Sequence, residues 1–473
     1  MRRALLLTLA LCASVSAFAG TGKIIIVNGD QPGVGFNDPT PVLPVGGNPG
    51  TTRGAQRLHV FQAAADAWSV LLETNVDIIA QATFPVIPGG CTADSAILGQ
   101  AAPWSWQRDF TNAPKANVWY PIALANAMTG RDLAPGTPDI FVQFNSALDN
   151  PTCLGESGWY YGLDREKGIH SDLYVVVLHE LGHGLGIAGN GTAPSFRDGI
   201  PAISDVHTLD LTTGQRWDQM SAEARSQSIG NTGNLVWDGD NVRLNTFRFL
   251  QPVTTLTITE PSTLARNYDI GTAVFGPSPS AAVLSGEIAK ALDAANDDGP
   301  STTDGCTAFT NADAVAGKLA LVDRGECTFV VKARNAQAAG AIGVIVVDNR
   351  RDTCQPPSMG SSSGDGGDIT IPAISVTQDD GSLLRSVNGA RGTIRTDPSQ
   401  LAGTNQNYMR LYAPCTEEPG SSTHHWDVNA SPNLLMEPSI NSDLLHGLDL
   451  TLYQLLDIGW TRPQRSGRRS YNR

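Results

Sequence analysis

The sequence predicts an α+β fold in which one domain is interrupted by a second, β-rich domain. Within residues 22–187, strands with alternating apolar side chains and helices with apolar residues at helical spacing follow one another. From about residue 253 the pattern changes to closely spaced strands with short helices, and a helix-like segment follows near the C-terminus. A chain of 473 residues, 41% of them hydrophobic, is long enough for two or three domains.

Three strands and two helices are predicted in the first half of the chain. Their spans are 22–30, 76–84 and 139–147 for the strands, and 57–73 and 171–187 for the helices. Ser171 or Asp172 is expected to cap the second helix, because a short polar side chain accepts a hydrogen bond from a free amide at a helix start. An α+β domain whose first half ends on this helix fits that order.

The two ends of the chain are expected to lie outside the folded domains. Residues 1–19 have the pattern of a secretory signal peptide, with two arginines, a short apolar run and Ala-Phe-Ala before the cleavage site. The apolar run is too short for a membrane span, and the tail at 461–473 is basic and without an apolar pattern. The net charge of −14 argues against nucleic acid or an anionic membrane as a partner. We therefore expect an exported protein.

Six cysteines remain after removal of residues 1–19, and an even number in an oxidising compartment indicates three disulfides. Six cysteines allow fifteen pairings, so the sequence leaves the connectivity open. The local choices, with the pair that they leave over, are Cys306–Cys327, Cys91–Cys153 and Cys354–Cys415. None of the six lies in a Cys-x-x-Cys pair, so neither a structural zinc nor a redox role is expected.

The segment HELGHGLGI at 179–187 carries the strongest chemical signal in the chain. On a helix, His179 and His183 lie on one face, where a single zinc ion can bind both. Glu180 lies beside them and is a candidate general base. Zinc needs at least a third protein ligand, and the position where many metalloproteases have it, residue 189, is a glycine.

The third ligand is therefore sought elsewhere in the chain. The histidines expected in ordinary surface, packing or capping positions are His59, His170 and His446. His207 lies near two aspartates in SDVHTLD and stays open as an alternative. The segment STHHWDVNASPNLLMEP at 422–438 contains His424 and His425, and the residues alone leave the choice between them open.

Residues 253–397 resemble the protease-associated (PA) domain. The resemblance rests on GKLALVDRGECTF, KARNAQAAGAIGVIVVDN and IPAISVTQDDGSLL, in that order and spacing. It implies a small β-rich module that accompanies secreted proteases, influences substrate access or partner binding, and has no catalysis of its own. One amphipathic helix is predicted within it at 329–339.

The flanks, residues 20–252 and 398–460, resemble the leishmanolysin-like metallopeptidases of the metzincin group. The resemblance rests on the His-Glu helix, on the pair His425-Trp426, on the sequence LMEP that follows, and on the helix-like TLYQLLDIGW. Gly186 fits the sharp turn with which metzincins end their metal helix. The insertion separates His183 from His425 by 242 positions, far more than in most metzincins.

This resemblance implies a secreted zinc endopeptidase with a specific set of site residues. The implied zinc ligands are His179, His183 and His425, the implied base is Glu180, and the turn methionine beneath the metal is Met436. Glu180 would take a proton from a zinc-bound water as that water attacks a peptide carbonyl. The strand at 139–147 is the candidate edge strand that pairs with an extended protein or peptide substrate.

Two alternative functions and one possible additional metal site remain to be considered. A non-catalytic binding or adhesion protein could keep zinc only as a structural brace, although a brace needs no carboxylate at Glu180. A serine protease is disfavoured, because GSSSG at 360–364 lies in a low-complexity loop with no apolar strand before it. The acidic stretch 293–305 offers oxygen ligands for Ca²⁺, but a solvated loop is the favoured interpretation.

Overall fold

The computed structural model describes residues 22–463 except 93–94, 155–156, 190, 193–194, 298, 351–353, 361–365, 441–443 and 445. The expected signal peptide, most of the basic tail and most of the GSSSG segment lie outside the described residues. Within the described residues, no helix is both long and apolar enough to cross a membrane.

Strands and helices are mixed along the whole chain. The strands of three or more residues are β1 (Ile24–Asn28), β2 (Ile78–Thr83), β3 (Gly99–Pro103), β4 (Ile140–Phe144), β5 (Thr208–Asp210), β6 (Leu235–Trp237), β7 (Pro252–Glu260), β8 (Arg266–Tyr268), β9 (Leu284–Lys290), β10 (Leu319–Asp323), β11 (Gly343–Val347), β12 (Ala373–Val376), β13 (Arg391–Leu401) and β14 (Tyr408–Arg410). The α-helices are α1 (Arg53–Ser69), α2 (Ile122–Thr129), α3 (Leu173–Leu185), α4 (Ala222–Ser228), α5 (Asp240–Arg243), α6 (Ala312–Val315), α7 (Phe329–Ala338), α8 (Gln378–Ser386) and α9 (Leu450–Ile458).

The first sheet has the strand order β1-β2-β4-β3, with β3 antiparallel to β4 and the other pairs parallel. The strand predicted at 139–147 is β4, and it pairs on both sides. The expectation that this strand is the free edge beside the metal helix is therefore wrong. The edge is β3, whose sequence GQAAP lacks the β-branched and aromatic residues that reveal a strand.

Helices α1 and α3 pack against each other and against this first sheet. α1 begins four residues before its predicted start, because the Thr52 hydroxyl accepts a hydrogen bond from the Ala55 amide and caps it there. Asp172 caps α3 through the Tyr174 amide. Every residue of α3 except Tyr174 is buried, which places its histidines inside the protein.

The chain on either side of the insertion forms one unit. β6, before the insertion, pairs with β14, which follows it. β7 and β13, at the two ends of the insertion, are antiparallel neighbours, with Pro252 opposite Leu401. The insertion therefore leaves and re-enters at adjacent points, and the two flanks share a single hydrophobic core.

The insertion is built on an eight-stranded sheet. Its order is β8-β7-β13-β9-β10-β11-β12 followed by the short strand Gly271–Thr272, with β9 to β12 parallel. Alternate residues of β10 and β11 face two separate cores, so both faces of these strands are covered. Helix α7 follows β10 and ends one residue before the helix predicted at 329–339, and α8 follows β12.

The three disulfides are the ones that the local choice predicts: Cys91–Cys153, Cys306–Cys327 and Cys354–Cys415. The first lies in the N-terminal flank and the second within the insertion. The third joins the insertion to the C-terminal flank, ten residues before His425.

Candidate metal centre

Three buried histidines meet at one point, although 242 residues separate the second from the third. The Nε2 atom of His183 lies 3.1 Å from that of His179 and 3.1 Å from that of His425, and the third separation is 3.3 Å. Ligand atoms about 2.0–2.1 Å from a tetrahedral zinc lie roughly 3.3–3.4 Å from each other. In the described part of the chain, these three residues are the only group of three or more potential ligands of the His, Cys, Asp and Glu types.

Backbone carbonyls fix the hydrogen on each of the three rings. The Nδ1 atom of His179 lies 2.6 Å from the Leu435 oxygen, and that of His183 lies 2.7 Å from the Ile187 oxygen. The Nδ1 atom of His425 has the Ser421 oxygen at 2.7 Å. A carbonyl oxygen only accepts, so each Nδ1 carries the hydrogen and each Nε2 has a free lone pair. Three lone pairs directed at one point repel each other unless a cation lies between them.

Burial keeps the three rings neutral. Desolvation, together with the neighbouring His183, lowers the pKa of His179 to about 3. The pKa values of His183 and His425 are also lowered, first by desolvation. Neutral imidazole is the form that binds a metal ion, so the donor set fits zinc at neutral pH.

The turn that contains Met436 supports two of the histidines. The Leu435 carbonyl accepts from His179, and the Met436 carbonyl accepts from the amide of Trp426, the residue after His425. The Met436 side chain is fully buried against α3, where a Cβ on Gly182 would lie 3.0 Å from its sulfur. Met436 thus approaches Gly182 closely beneath the histidines, and a side chain at residue 182 would displace its sulfur by a few tenths of an ångström.

Gly186 ends the metal helix, as its position in the sequence indicates. Its φ of +135° is a backbone conformation that side chains disfavour, and a Cβ there would lie 2.7 Å from Ile458. The turn redirects the chain so that the Ile187 carbonyl reaches His183.

Glu180 lies beside the edge strand β3, on the same helix as His179 and His183. It is buried, and desolvation raises its pKa to about 8. A Cβ on Gly99 of β3 would lie 3.2 Å from the Glu180 Oε1 atom. The absence of a side chain at Gly99 therefore gives the carboxylate its room.

The remaining candidate histidines lie outside the group of three. His424 lines the same cleft, and a Cβ on Gly189 would lie 2.6 Å from its Nε2 atom. Its ring thus fills the place beside residue 189 without joining the metal ligands. His207 contacts Asp238 and stacks on Trp237. The other three lie apart from the ligand group: His59 is exposed on α1, His170 is on the rim of the cleft, and His446 contacts the capping residue Asp172.

The metal centre opens into a cleft of about 1050 Å³. One wall is formed by residues 95–101, which include the start of β3, and the opposite wall by residues 417–425. Leu98 and Trp104 form backbone hydrogen bonds with the segment of β4, so even-numbered positions face β4. The backbone groups of Gly99 and Ala101 therefore point away from the sheet. Sequence reasoning missed β3, because its run of small residues gives no strand signal.

In the acidic stretch 293–305, none of the described residues belongs to a group of three or more potential metal ligands. The Asp293 carboxylate accepts from the Thr307 amide, and that of Asp304 accepts from the Cys306 amide. These bonds hold the loop itself, so nothing in the described residues supports bound Ca²⁺.

Comparison with known proteins identifies the insertion. Residues 285–384 match the PA domain family. The chain is 43% identical over 86 residues to human ER degradation-enhancing alpha-mannosidase-like protein 3, covering 17% of this chain and 9% of that protein. It is 39% identical over 83 residues to an aminopeptidase of Pseudomonas aeruginosa, covering 18% and 16%. With aminopeptidase YwaD of Bacillus subtilis it shares 33% identity over 98 residues, 21% of this chain and 20% of that one.

These relatives are matched over stretches about as long as the PA domain, and the chain spans a fifth or less of their lengths. Their names differ in activity, which fits a shared accessory module. Among solved structures, a zinc aminopeptidase from Bacillus subtilis is similar with a TM-score of 0.22 and 20% identity, over 41% of each chain. The family match shows that the protein contains a PA domain at residues 285–384. The metzincin resemblance of the flanks stays a prediction.

Proposed function

We propose that this protein is a zinc-dependent endopeptidase of the metzincin type that hydrolyses peptide bonds in the cleft beside α3. The observation that carries the proposal is the convergence of three Nε2 lone pairs on one point. Three neutral imidazoles leave a tetrahedral zinc with an open position, which is the arrangement of catalytic rather than structural sites. His179, His183 and His425 would hold the ion.

Glu180 acts as the general base in this proposal. Zinc, when bound, supplies Lewis acidity to water and to the scissile carbonyl. Glu180 does not belong to the ligand group, and its carboxylate lies at the base of the cleft, beside Gly99. A zinc ion held by the three histidines would favour the ionised form of Glu180 and so counteract the desolvation that raises its pKa. In that form Glu180 accepts the proton of the attacking water and then delivers a proton to the leaving amine. A structural zinc site would not need a buried carboxylate at this place.

The edge strand β3 binds the substrate backbone. The outward N–H and C=O groups of Gly99 and the N–H of Ala101 are positioned to pair with an extended peptide, so affinity depends little on the substrate's side chains. This strand passes directly beside Glu180. A peptide paired with β3 therefore has one of its internal peptide bonds beside Glu180.

The three disulfides support an oxidising compartment as the place of action. Together with the pattern of residues 1–19, they favour an exported enzyme that acts on proteins or peptides outside the cytosol.

The proposal is tested with the purified full-length protein, by metal analysis and cleavage of an internally quenched peptide with an acetylated N-terminus. We expect one equivalent of zinc, cleavage at an internal bond, loss of cleavage with a chelator and recovery with added zinc. An aminopeptidase would leave the acetylated peptide intact and cleave only the free form. Bound zinc without cleavage of either peptide would favour the non-catalytic binding protein.

A further inference from the structure

The PA domain contains a lysine whose side chain is completely buried. Lys332 lies on α7, and its Nζ atom donates to the carbonyl oxygens of Asp304 at 2.6 Å and Gly325 at 2.7 Å. An ammonium group has three N–H donors. The other atoms in reach of Nζ are the two disulfide sulfurs, Cys327 Sγ at 3.4 Å and Cys306 Sγ at 3.5 Å. The third donor is therefore directed at the disulfide.

The charge of this lysine has no contact partner of opposite sign. Among the described residues, no carboxylate forms an ion pair with Nζ. The acidic groups that face it at longer range, and that favour its charged form, are Asp304, Asp293, Asp323 and Glu326. A buried charge without a direct partner is costly. A thiolate on Cys306 or Cys327 would give the ammonium such a partner at contact distance.

The two sulfurs are not equivalent. Cys306 is buried, and its sulfur also receives a hydrogen bond from the Cys327 amide at 3.3 Å. Cys327 is only half-buried. An external thiol can therefore reach Cys327 more easily, while Cys306 has two donors already placed to stabilise it as a leaving group. A leaving thiol of lower pKa departs faster in disulfide exchange.

We propose that Cys306–Cys327 is a thiol–disulfide exchange site in the PA domain, with Lys332 as the residue that stabilises the leaving thiolate of Cys306. The thiolate of a dithiol attacks Cys327 Sγ, the Cys306–Cys327 bond breaks, and its electron pair stays on Cys306. The second thiol of the reductant then attacks the mixed disulfide and releases Cys327 as a thiolate, which takes up a proton. The dithiol ends as a disulfide, and the PA domain ends with two reduced cysteines. This role needs no Cys-x-x-Cys pair, because Lys332 on α7 supplies the positive charge beside the sulfurs.

The same chain provides a matched control. Cys91–Cys153 also combines a half-buried and a buried cysteine. In the described part of the chain, no lysine or arginine nitrogen contacts either of its sulfurs. A difference in reactivity between the two disulfides therefore reports on the surroundings of the sulfurs rather than on exposure alone.

The test treats the oxidised full-length protein with limiting dithiothreitol, alkylates free thiols at intervals and quantifies each cysteine by peptide mass spectrometry. We expect Cys306–Cys327 to be reduced about ten-fold or more faster than Cys91–Cys153. Lys332→Gln keeps N–H donors for the carbonyls but removes the charge, and it should slow reduction of Cys306–Cys327 while leaving Cys91–Cys153 unchanged. Equal rates for the two disulfides in the unmodified protein would overturn the proposal.

A second measurement does not depend on the folding of a Lys332 variant. In Cys327→Ser prepared without residues 1–19, which contain Cys12, the single free thiol is Cys306, and thiolate absorbance near 240 nm reports its pKa. We expect a pKa below the value of about 8.5 for a free cysteine. A value at or above 8.5 would show that the carboxylates around Lys332 outweigh its ammonium, and the proposal would be wrong.

Discussion

At the scale of single residues, the metal centre depends on which atom of each histidine carries hydrogen. The three carbonyls of Ser421, Leu435 and Ile187 determine this, and none of them belongs to a residue type that a motif could specify. Every residue type offers this carbonyl, so a substitution at these positions acts on the metal centre through packing, and Leu435 and Ile187 are buried in the core. The side chains on which the chemistry of the metal centre depends are the three histidines and Glu180.

Glu180→Gln separates catalysis from metal binding. Glutamine has nearly the same shape, and Glu180 is outside the ligand group, so zinc content and thermal stability should be unchanged. Hydrolysis of the quenched peptide should fall by about 10²–10⁴-fold, because the base is lost. Metal analysis and initial rates on the same sample show whether hydrolysis is lost while zinc is retained. Full activity in this variant would refute the proposed role of Glu180.

His425→Ala and His424→Ala form a pair of neighbouring substitutions with opposite expected effects. His425→Ala removes one of three converging ring nitrogens, so zinc should be lost or bound much more weakly, and cleavage should disappear. His424→Ala removes a ring that lines the cleft beside Gly189, and zinc should remain at one equivalent. Zinc loss in the His424 variant, with retention in the His425 variant, would reverse the assignment.

How far these features could be predicted differs from one residue to the next. His179 and His183 follow from helical spacing, and Met436 from its place after the His-Trp pair. The meeting of His183 with His425 depends on the pairing of β7 with β13 across the insertion, which no local pattern contains. The role of Gly99 can be recognised only from its closeness to Glu180 in the folded protein.

At the scale of secondary structure, predictions succeed where the burial pattern is strong. α3 is buried on nearly all sides, and the sequence predicts it together with its cap; the helix predicted at 329–339 is α7, which ends one residue earlier. β3 was missed, because small residues give no strand signal and its position depends on β4. The position of a strand at the edge or in the interior depends on the whole sheet and cannot be read from the strand's own sequence. The prediction that β4 is the substrate-binding edge is therefore wrong, because β4 pairs with both β2 and β3.

Ala101→Pro tests the edge strand. The outward amide of this residue is lost, while the even-numbered positions that pair with β4 keep their hydrogen bonds. We expect KM for the quenched peptide to rise about ten-fold with little change in kcat, since a substrate hydrogen bond to the backbone is removed. Ala101→Ser keeps the amide and serves as the control. Unchanged kinetics in the proline variant would exclude pairing at this position.

At the scale of the whole molecule, the PA domain is attached to the metal centre at more than its two chain connections. The Cys354–Cys415 disulfide links it to the chain two residues before the cleft lining begins at Glu417. The Gln355 side chain donates at 2.6 Å to Asp427, a fully buried carboxylate two residues after His425. Burial raises the pKa of Asp427, and this donor counteracts that effect. The insertion thus helps to fix the segment that delivers the third ligand.

Gln355→Ala should therefore weaken the metal centre from within the PA domain. The Asp427 Oδ2 atom loses its donor in a buried position, at a cost of about 1–3 kcal/mol. We expect a lower free energy of unfolding and faster zinc loss to a competing chelator. The matched control is Gln337→Ala, because Gln337 bonds to Asp368 and Thr370 within the insertion and should affect stability without affecting zinc retention. Equal zinc retention in the two variants would mean that the PA domain does not support His425 through Asp427.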